Sequence, residues 1–283
     1  MHAGRQSRRR QCDTVGAGKE NDVEINGIQG RVALVTGAGR GIGRAIAIVL
    51  AAEGARVALS ARTRSELDET AETIRAAGGE AAAFEADLAE RSAPARLVGE
   101  VEAALGPVEI LVNNAGVGSS SNPKPVVDFD DDFWDLSLAV NMTAPYLLCR
   151  AVLPDMLERK RGRIITVASI NSRRGSFHGA AYAASKHGVL GLMRTLAMET
   201  AADGITVNCI CPGPVESLMN DKRLEYDAAR LGRDLAEHTR LQTPIGGRLT
   251  PEDIAPMAVY LASDAARMIT GQAYNLCGGL VMS

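Results

Sequence analysis

The chain has 283 residues, 46% of them hydrophobic, with 31 Lys and Arg against 34 Asp and Glu and a net charge of −3. That length can bury the core of one large α/β domain, and so small a net charge gives no general attraction to nucleic acid or to an anionic membrane. The five cysteines form no Cys-x-x-Cys pair and His2, His178, His187 and His238 have no zinc-type spacing, so a disulfide scaffold and a metal centre are both unexpected, and reduced thiols of a cytoplasmic protein are expected instead.

Residues 1–27 hold Arg5, Arg8, Arg9 and Arg10 but also Asp13, Glu20, Asp22 and Glu24, with no apolar stretch of a secretory signal; a disordered extension is expected. Val32–Val35 is a short apolar run suited to a buried parallel strand. Gly37, Gly41 and Gly43 follow in Thr36-Gly37-Ala38-Gly39-Arg40-Gly41-Ile42-Gly43, and Ile42–Glu53 has helical character. Glycines between a strand and a helix allow a tight turn and let the backbone approach a pyrophosphate at the helix N-terminus. This spacing is not that of a P-loop, and no Gly-Lys-Ser/Thr follows, which argues against a nucleoside triphosphatase.

Strands are then predicted at Arg56–Ser60, Ala81–Glu85, Ile110–Asn113, Arg163–Ala168, Ile205–Cys211 and Ala273–Leu276, with a helix over Ser65–Ala77. Asp130–Lys160 reads as helical with a kink or break from Pro145 and Pro154. The alternation predicts a single Rossmann-type, doubly wound domain over 28–283: a seven-stranded parallel sheet flanked by helices, binding ligands beyond the carboxyl ends of its strands. No apolar stretch is read as long enough to span a membrane, since Glu53 and Arg56 interrupt the longest candidate.

Tyr182 and Lys186 stand one helical turn apart in Ala181-Tyr182-Ala183-Ala184-Ser185-Lys186-His187. An ammonium on the same face stabilises a phenolate and draws the phenol, ordinarily near 10, toward working pH. A fall of roughly three units corresponds to about 4 kcal/mol. Leu59-Ser60-Ala61-Arg62 ends the second strand with a basic residue and no acid. An acid there grips a ribose 2′-hydroxyl, whereas a guanidinium accommodates a 2′-phosphate. Arg40 and Arg62 therefore favour NADP(H) over NAD(H).

Taken together, Thr36-Gly37 to Gly43, Asp87-Leu88, Asn113-Asn114-Ala115-Gly116, Asn141, Ser169, Tyr182 with Lys186, and Pro212-Gly213 resemble the short-chain dehydrogenase/reductase family over about residues 30 to 283. The closest likeness is to 3-oxoacyl-carrier-protein reductases, with polyol and sugar dehydrogenases near behind. The resemblance implies catalysis by Asn141, Ser169, Tyr182 and Lys186. Tyr182 would be the general acid/base, Ser169 would donate to the carbonyl oxygen, and Asn141 would orient Lys186 through a water. It implies dinucleotide contacts from Gly37, Arg40, Gly41, Ile42, Gly43, Arg62, Asp87, Leu88, Asn114, Ala115, Gly116, Tyr182, Lys186, Pro212, Gly213, Val215 and Ser217. Leu218–Gly247 would form a substrate lid with Leu224, Tyr226, Leu231 and Leu235 as inward residues. Arg173, Arg174, Phe177 and His178 would line the pocket mouth, and a homotetramer is expected. The activity implied is NADP(H)-dependent reduction of a ketone, 3-oxoacyl or a related small carbonyl, to a secondary alcohol. A polyol, sugar or hydroxysteroid dehydrogenase and a non-catalytic NADP sensor are the alternatives.

Overall fold

The computed structural model describes residues 27–282; the N-terminal extension expected at 1–27, with His2 and Cys12, lies outside the described residues except for Gly27. Seven parallel strands form one sheet in the order β3-β2-β1-β4-β5-β6-β7. They are β1 (Val32–Thr36), β2 (Arg56–Ala61), β3 (Glu80–Glu85), β4 (Val108–Asn113), β5 (Gly162–Val167), β6 (Ile205–Pro212) and β7 (Ala273–Leu276). Each predicted strand is present. The chain runs outward from β1 to β3 and then returns to β4 on the other side of β1, so the strand order reverses between β1 and β4. A crevice opens at such a reversal.

Both faces of the sheet are covered, and the strand pattern explains why. In β1 the side chains of Ala33 and Val35 join one core cluster while Val32 and Leu34 join the other, as alternation across a pleated strand requires. Helices α1 (Gly41–Ala52), α2 (Arg64–Ala76) and α9 (Pro251–Ala262) cover the first face with Ile46, Leu50, Leu67, Ile74 and Ile254. Helices α3 (Ala93–Leu105), α5 (Ala144–Arg159) and α6 (Ala180–Thr200) cover the second with Leu97, Val101, Leu148, Val152, Val189 and Met193. Between β6 and α9 lie α7 (Leu218–Leu231) and α8 (Leu235–Arg240).

The break expected near Pro145 falls just before it. Helix α4 (Asp131–Leu138) passes into a π-helical turn, Ala139–Thr143, and then into α5, which continues through Pro154. Pro145 has no N–H to give the Asn141 carbonyl in a regular α-helix, and a local π turn is one way the chain absorbs that loss. The run 131–159 also corrects the membrane reading, because its most apolar window averages a mean hydropathy of 1.4, enough to span by length and composition. Its buried residues, among them Leu148, Cys149, Val152 and Met156, belong to the core cluster on the second face of the sheet. Packing accounts for that apolar face.

Candidate active site

The glycine turn is locked to the neighbouring strand by side-chain and backbone bonds. Gly37 and Gly41 have φ of 65° and 55°, a left-handed region that disfavours a side chain. A Cβ on Gly43 would lie 2.2 Å from the Gly37 carbonyl oxygen, so Gly43 serves close packing. Asn114 Nδ2 donates to the carbonyls of Thr36 (2.8 Å) and Gly37 (3.2 Å). The Thr36 hydroxyl accepts from the Asn114 and Ala115 amides and donates to the Val112 carbonyl. The fourth glycine, passed over in the sequence, is constrained too: a Cβ on Gly39 would meet Glu66 Cβ at 2.7 Å.

From this turn a cavity of about 970 Å³ runs across the strand ends to α7. Every residue expected to contact the dinucleotide lines it except Gly43. Ser169, Tyr182 and Lys186 line it as well; Asn141 does not. The fit to a dinucleotide rests on two observations. A Cβ built on Gly41 would meet no protein atom within 4 Å, which leaves room for a ligand to approach the backbone. Ser60 Oγ is buried at the cavity wall without a hydrogen-bond partner, and a ribose or phosphate oxygen would satisfy it. Arg62 and Arg40 both line the far end, and Arg40 Nη1 is paired with Glu66 Oε1 at 3.0 Å. Glu66 was not singled out in the sequence, because nothing in helix periodicity says that a first-turn acid of α2 faces a glycine loop.

The catalytic candidates converge from three elements. Ser169 follows β5 and caps a short 3₁₀ turn, its hydroxyl accepting from the Asn171 amide at 3.1 Å. Tyr182 and Lys186 share one face of α6, with Lys186 Nζ 5.8 Å from the centre of the Tyr182 ring. Lys186 Nζ donates to the Val167 carbonyl at 2.8 Å and is almost fully buried. Asn141 sits behind them: its carboxamide accepts from the Val117 amide (2.9 Å) and donates to the Val117 carbonyl and to Ser185 Oγ, both at 3.0 Å. The side-chain amide is thereby fixed, and in a regular α-helix the Asn141 backbone carbonyl would face Pro145, which has no N–H to give it.

The electrostatics correct one expectation. Desolvation raises the Tyr182 phenol above its ordinary value, and a hydrogen bond with Ser169 opposes this. Burial sets the direction, and the Lys186 ammonium is turned to the Val167 carbonyl. Burial bears on the cation as well, lowering Lys186 from 10.5 to about 8. Both groups are poised by the low-dielectric wall, and Ser169 is the partner that favours the phenolate.

The α7 end of the cavity, where a lid is expected, is built by side chains. Leu224 is buried and Leu231 lines the cavity, but Leu235 is exposed, which corrects its inward placement. Arg174 and Phe177 line the cavity as expected. Arg173 instead donates to the Ala273 carbonyl at 2.7 Å, and His178, at φ 52°, meets the Tyr226 hydroxyl at 2.5 Å.

The family profile described as short chain dehydrogenase matches residues 31–227. The chain belongs to the short-chain dehydrogenase family. It is therefore an oxidoreductase, and the cavity is placed where the fold puts its ligand. Among its relatives, a Streptomyces virginiae protein that carries the name of a ketoacyl reductase of the monensin polyketide synthase is 43% identical over 255 residues, covering 88% of this chain and 97% of that one. A variant of actinorhodin polyketide ketoreductase, solved with NADPH, superposes with a TM-score of 0.84 at 38% identity, covering 88% of this short-chain dehydrogenase and 97% of that chain. A structure named for an NAD(P)-dependent gluconate 5-dehydrogenase of Beutenbergia cavernae, with NADP at low occupancy, gives 0.80 at 42% identity, covering 88% and 96%.

Proposed function

We propose that this short-chain dehydrogenase is an NADPH-dependent ketone reductase that turns a 3-oxoacyl-type carbonyl into a secondary alcohol. The observation that carries the reading is the meeting of the Ser169 hydroxyl, the Tyr182 phenol and the Lys186 ammonium in one cavity, at whose opposite end lie the glycine turn and Arg62. The likenesses to ketoreductases support the same class. Arg62, Arg40 and Ser60 would hold the 2′-phosphate end of the cofactor, and Lys186 with Pro212, Gly213 and Val215 would border its reactive end. When bound, NADPH supplies the hydride.

The chain's own residues handle the proton. Ser169 donates a hydrogen bond to the carbonyl oxygen as negative charge builds there, an electrostatic effect worth about 10²–10³ in rate for a single donor. Tyr182 passes its phenolic proton to the same oxygen. The Lys186 cation steadies the phenolate left behind and would return a proton to it, and the Asn141 carbonyl, through water, would then lead a replacement proton to the neutral Lys186 amine. Helices α7 and α8 act as the lid that excludes solvent. Exposed Tyr260 on α9, which covers the first face of the sheet, and exposed Tyr146 and Leu157 on α5 with Met198 on α6, which cover the second, support a homotetramer; Cys149, Cys209, Cys211 and Cys277, free and buried, fit a reducing cytoplasm.

The test is NADPH oxidation with a panel of 3-oxo esters and thioesters set beside 5-ketogluconate. Rapid turnover of the 3-oxo set is expected. The likeness to the gluconate 5-dehydrogenase favours a second reading, a sugar-acid dehydrogenase, and exclusive turnover of 5-ketogluconate would select it. No consumption of NADPH with any member would remove both.

A further inference from the structure

The lid end of the cavity carries more positive charge than it neutralises. Arg174, Arg223 and Arg230 line it with Asp227, and the other acid on this arm is the exposed Glu216. Arg223 and Arg230 share the one Asp227 carboxylate. Arg223 Nε and Nη2 reach its two oxygens at 2.7 and 3.0 Å, and Arg230 Nη2 reaches Oδ1 at 3.3 Å. Arg223 also donates to the Phe177 carbonyl at 2.7 Å and so ties α7 to the loop after Ser169. Arg230 lies over the Phe177 ring, 4.1 Å from its centre. Arg174, three residues earlier in that loop, has a 3.4 Å contact with Asn171 Oδ1 and no acid among the described residues. Each guanidinium offers five N–H donors. Arg223 spends its donors on protein, whereas Arg174 and Arg230 keep donors free toward the cavity.

We propose that Arg174 and Arg230 form an oxyanion subsite, with Arg223 and Asp227 as positioning residues, and that the substrate carries a phosphate or carboxylate beyond its reacting carbonyl. A guanidinium fork matches either anion. The subsite rests on the ketone-reductase reading and adds to it the charge of the substrate. It stands apart from Arg40 and Arg62, which occupy the opposite arm.

The experiment compares three substrates that share one 3-oxo group and differ in charge: acetoacetyl-CoA with its phosphates, acetoacetate with its carboxylate, and neutral ethyl acetoacetate. Wild type and the double variant Arg174→Gln, Arg230→Gln are assayed with NADPH. The expected result is a rise in KM of about tenfold or more for the anionic substrate that the subsite recognises, with kcat unchanged and ethyl acetoacetate affected less than about twofold. Whichever anion responds identifies the group. The double Lys variant should recover part of the loss, and raised salt should mimic it in the wild type. Equal losses for charged and neutral substrates would assign the arginines a purely structural role and overturn the proposal, as would no change for either anion. If the wild type reduces none of the three, the ketone-reductase reading falls. Calorimetric titrations of CoA and of acetoacetate into the NADP-loaded protein then decide the subsite: binding of either that is lost in the double variant supports it, and absent or unaltered binding of both overturns it.

Discussion

The two arms of the cavity are made by different means. The cofactor arm is mostly backbone: the positive-φ Gly37 and Gly41, the packed Gly43, and the Thr36 and Asn114 bonds that bind the turn to β4. The other arm, with the proposed lid, is mostly long side chains on α7 and the loop after β5, held by Arg–Asp and Arg–aromatic contacts. A ligand common to a whole family is met by geometry that a single methyl group disrupts. A substrate particular to one member is met by side chains that can change without disturbing the sheet.

The largest expected effect tests the rigidity of the first arm. Gly43→Val places a Cβ 2.2 Å from a backbone oxygen, so NADPH binding should be lost and stability should fall by about 3 kcal/mol, read by cofactor titration and urea unfolding. Leu231→Ala on the lid arm, where the side chain is 43% exposed, should cost less than about 1 kcal/mol and alter substrate KM alone. Comparable stability losses in the two variants would erase the contrast.

A second effect concerns Lys186, where the arms meet. The unfolded chain keeps this proton up to about 10.5, while the folded chain releases it near 8. The unfolded state therefore binds more protons between these values, and wild-type stability rises with pH across that window. Below it the buried charge costs about 3 kcal/mol. Lys186→Met removes that cost but also the bond to Val167, a net gain of about 1–2 kcal/mol below pH 8 that fades toward pH 10.5, while turnover collapses. Thermal melts across this range check it; a variant less stable than wild type at pH 7 would contradict the burial argument.

The smallest effects are a pair of opposite sign. Arg62→Ala should weaken NADPH by about tenfold and leave NADH nearly unchanged. Glu66→Gln frees Arg40 from its 3.0 Å partner, and NADPH should tighten by about two- to fivefold, with NADH again unmoved. Isothermal titration separates the four numbers, and parallel changes for both cofactors would remove the 2′-phosphate from the argument.

Legibility in the sequence followed the same division. Strands such as Val32–Thr36 and Ile205–Pro212 are short apolar runs between glycine or polar boundaries, and their placement needs only local pattern. Gly37, Asn114, Ser169 and Tyr182 stand at strand ends or on a helix next to them, so topology alone carries them to one cavity. The π turn at Ala139–Thr143 was foreshadowed by Pro145, but its position was not, since a proline perturbs the turn before it rather than itself. Glu66, Arg223, Asp227 and Arg230 were not legible because their roles depend on how helices rotate against a loop. Leu235 looked inward by hydropathy, yet its six-residue helix exposes it. The pull of Lys186 on Tyr182 was read from spacing alone, and burial, which spacing does not report, set the direction.

The central claim is that the Tyr182 hydroxyl moves the proton and that its contact with the cofactor adds little to affinity. The measurement is NADPH affinity together with single-turnover reduction of a 3-oxo substrate in Tyr182→Phe. The account predicts an affinity within about twofold of wild type and a rate lowered by about 10³. Turnover at the wild-type rate with intact NADPH binding would contradict it.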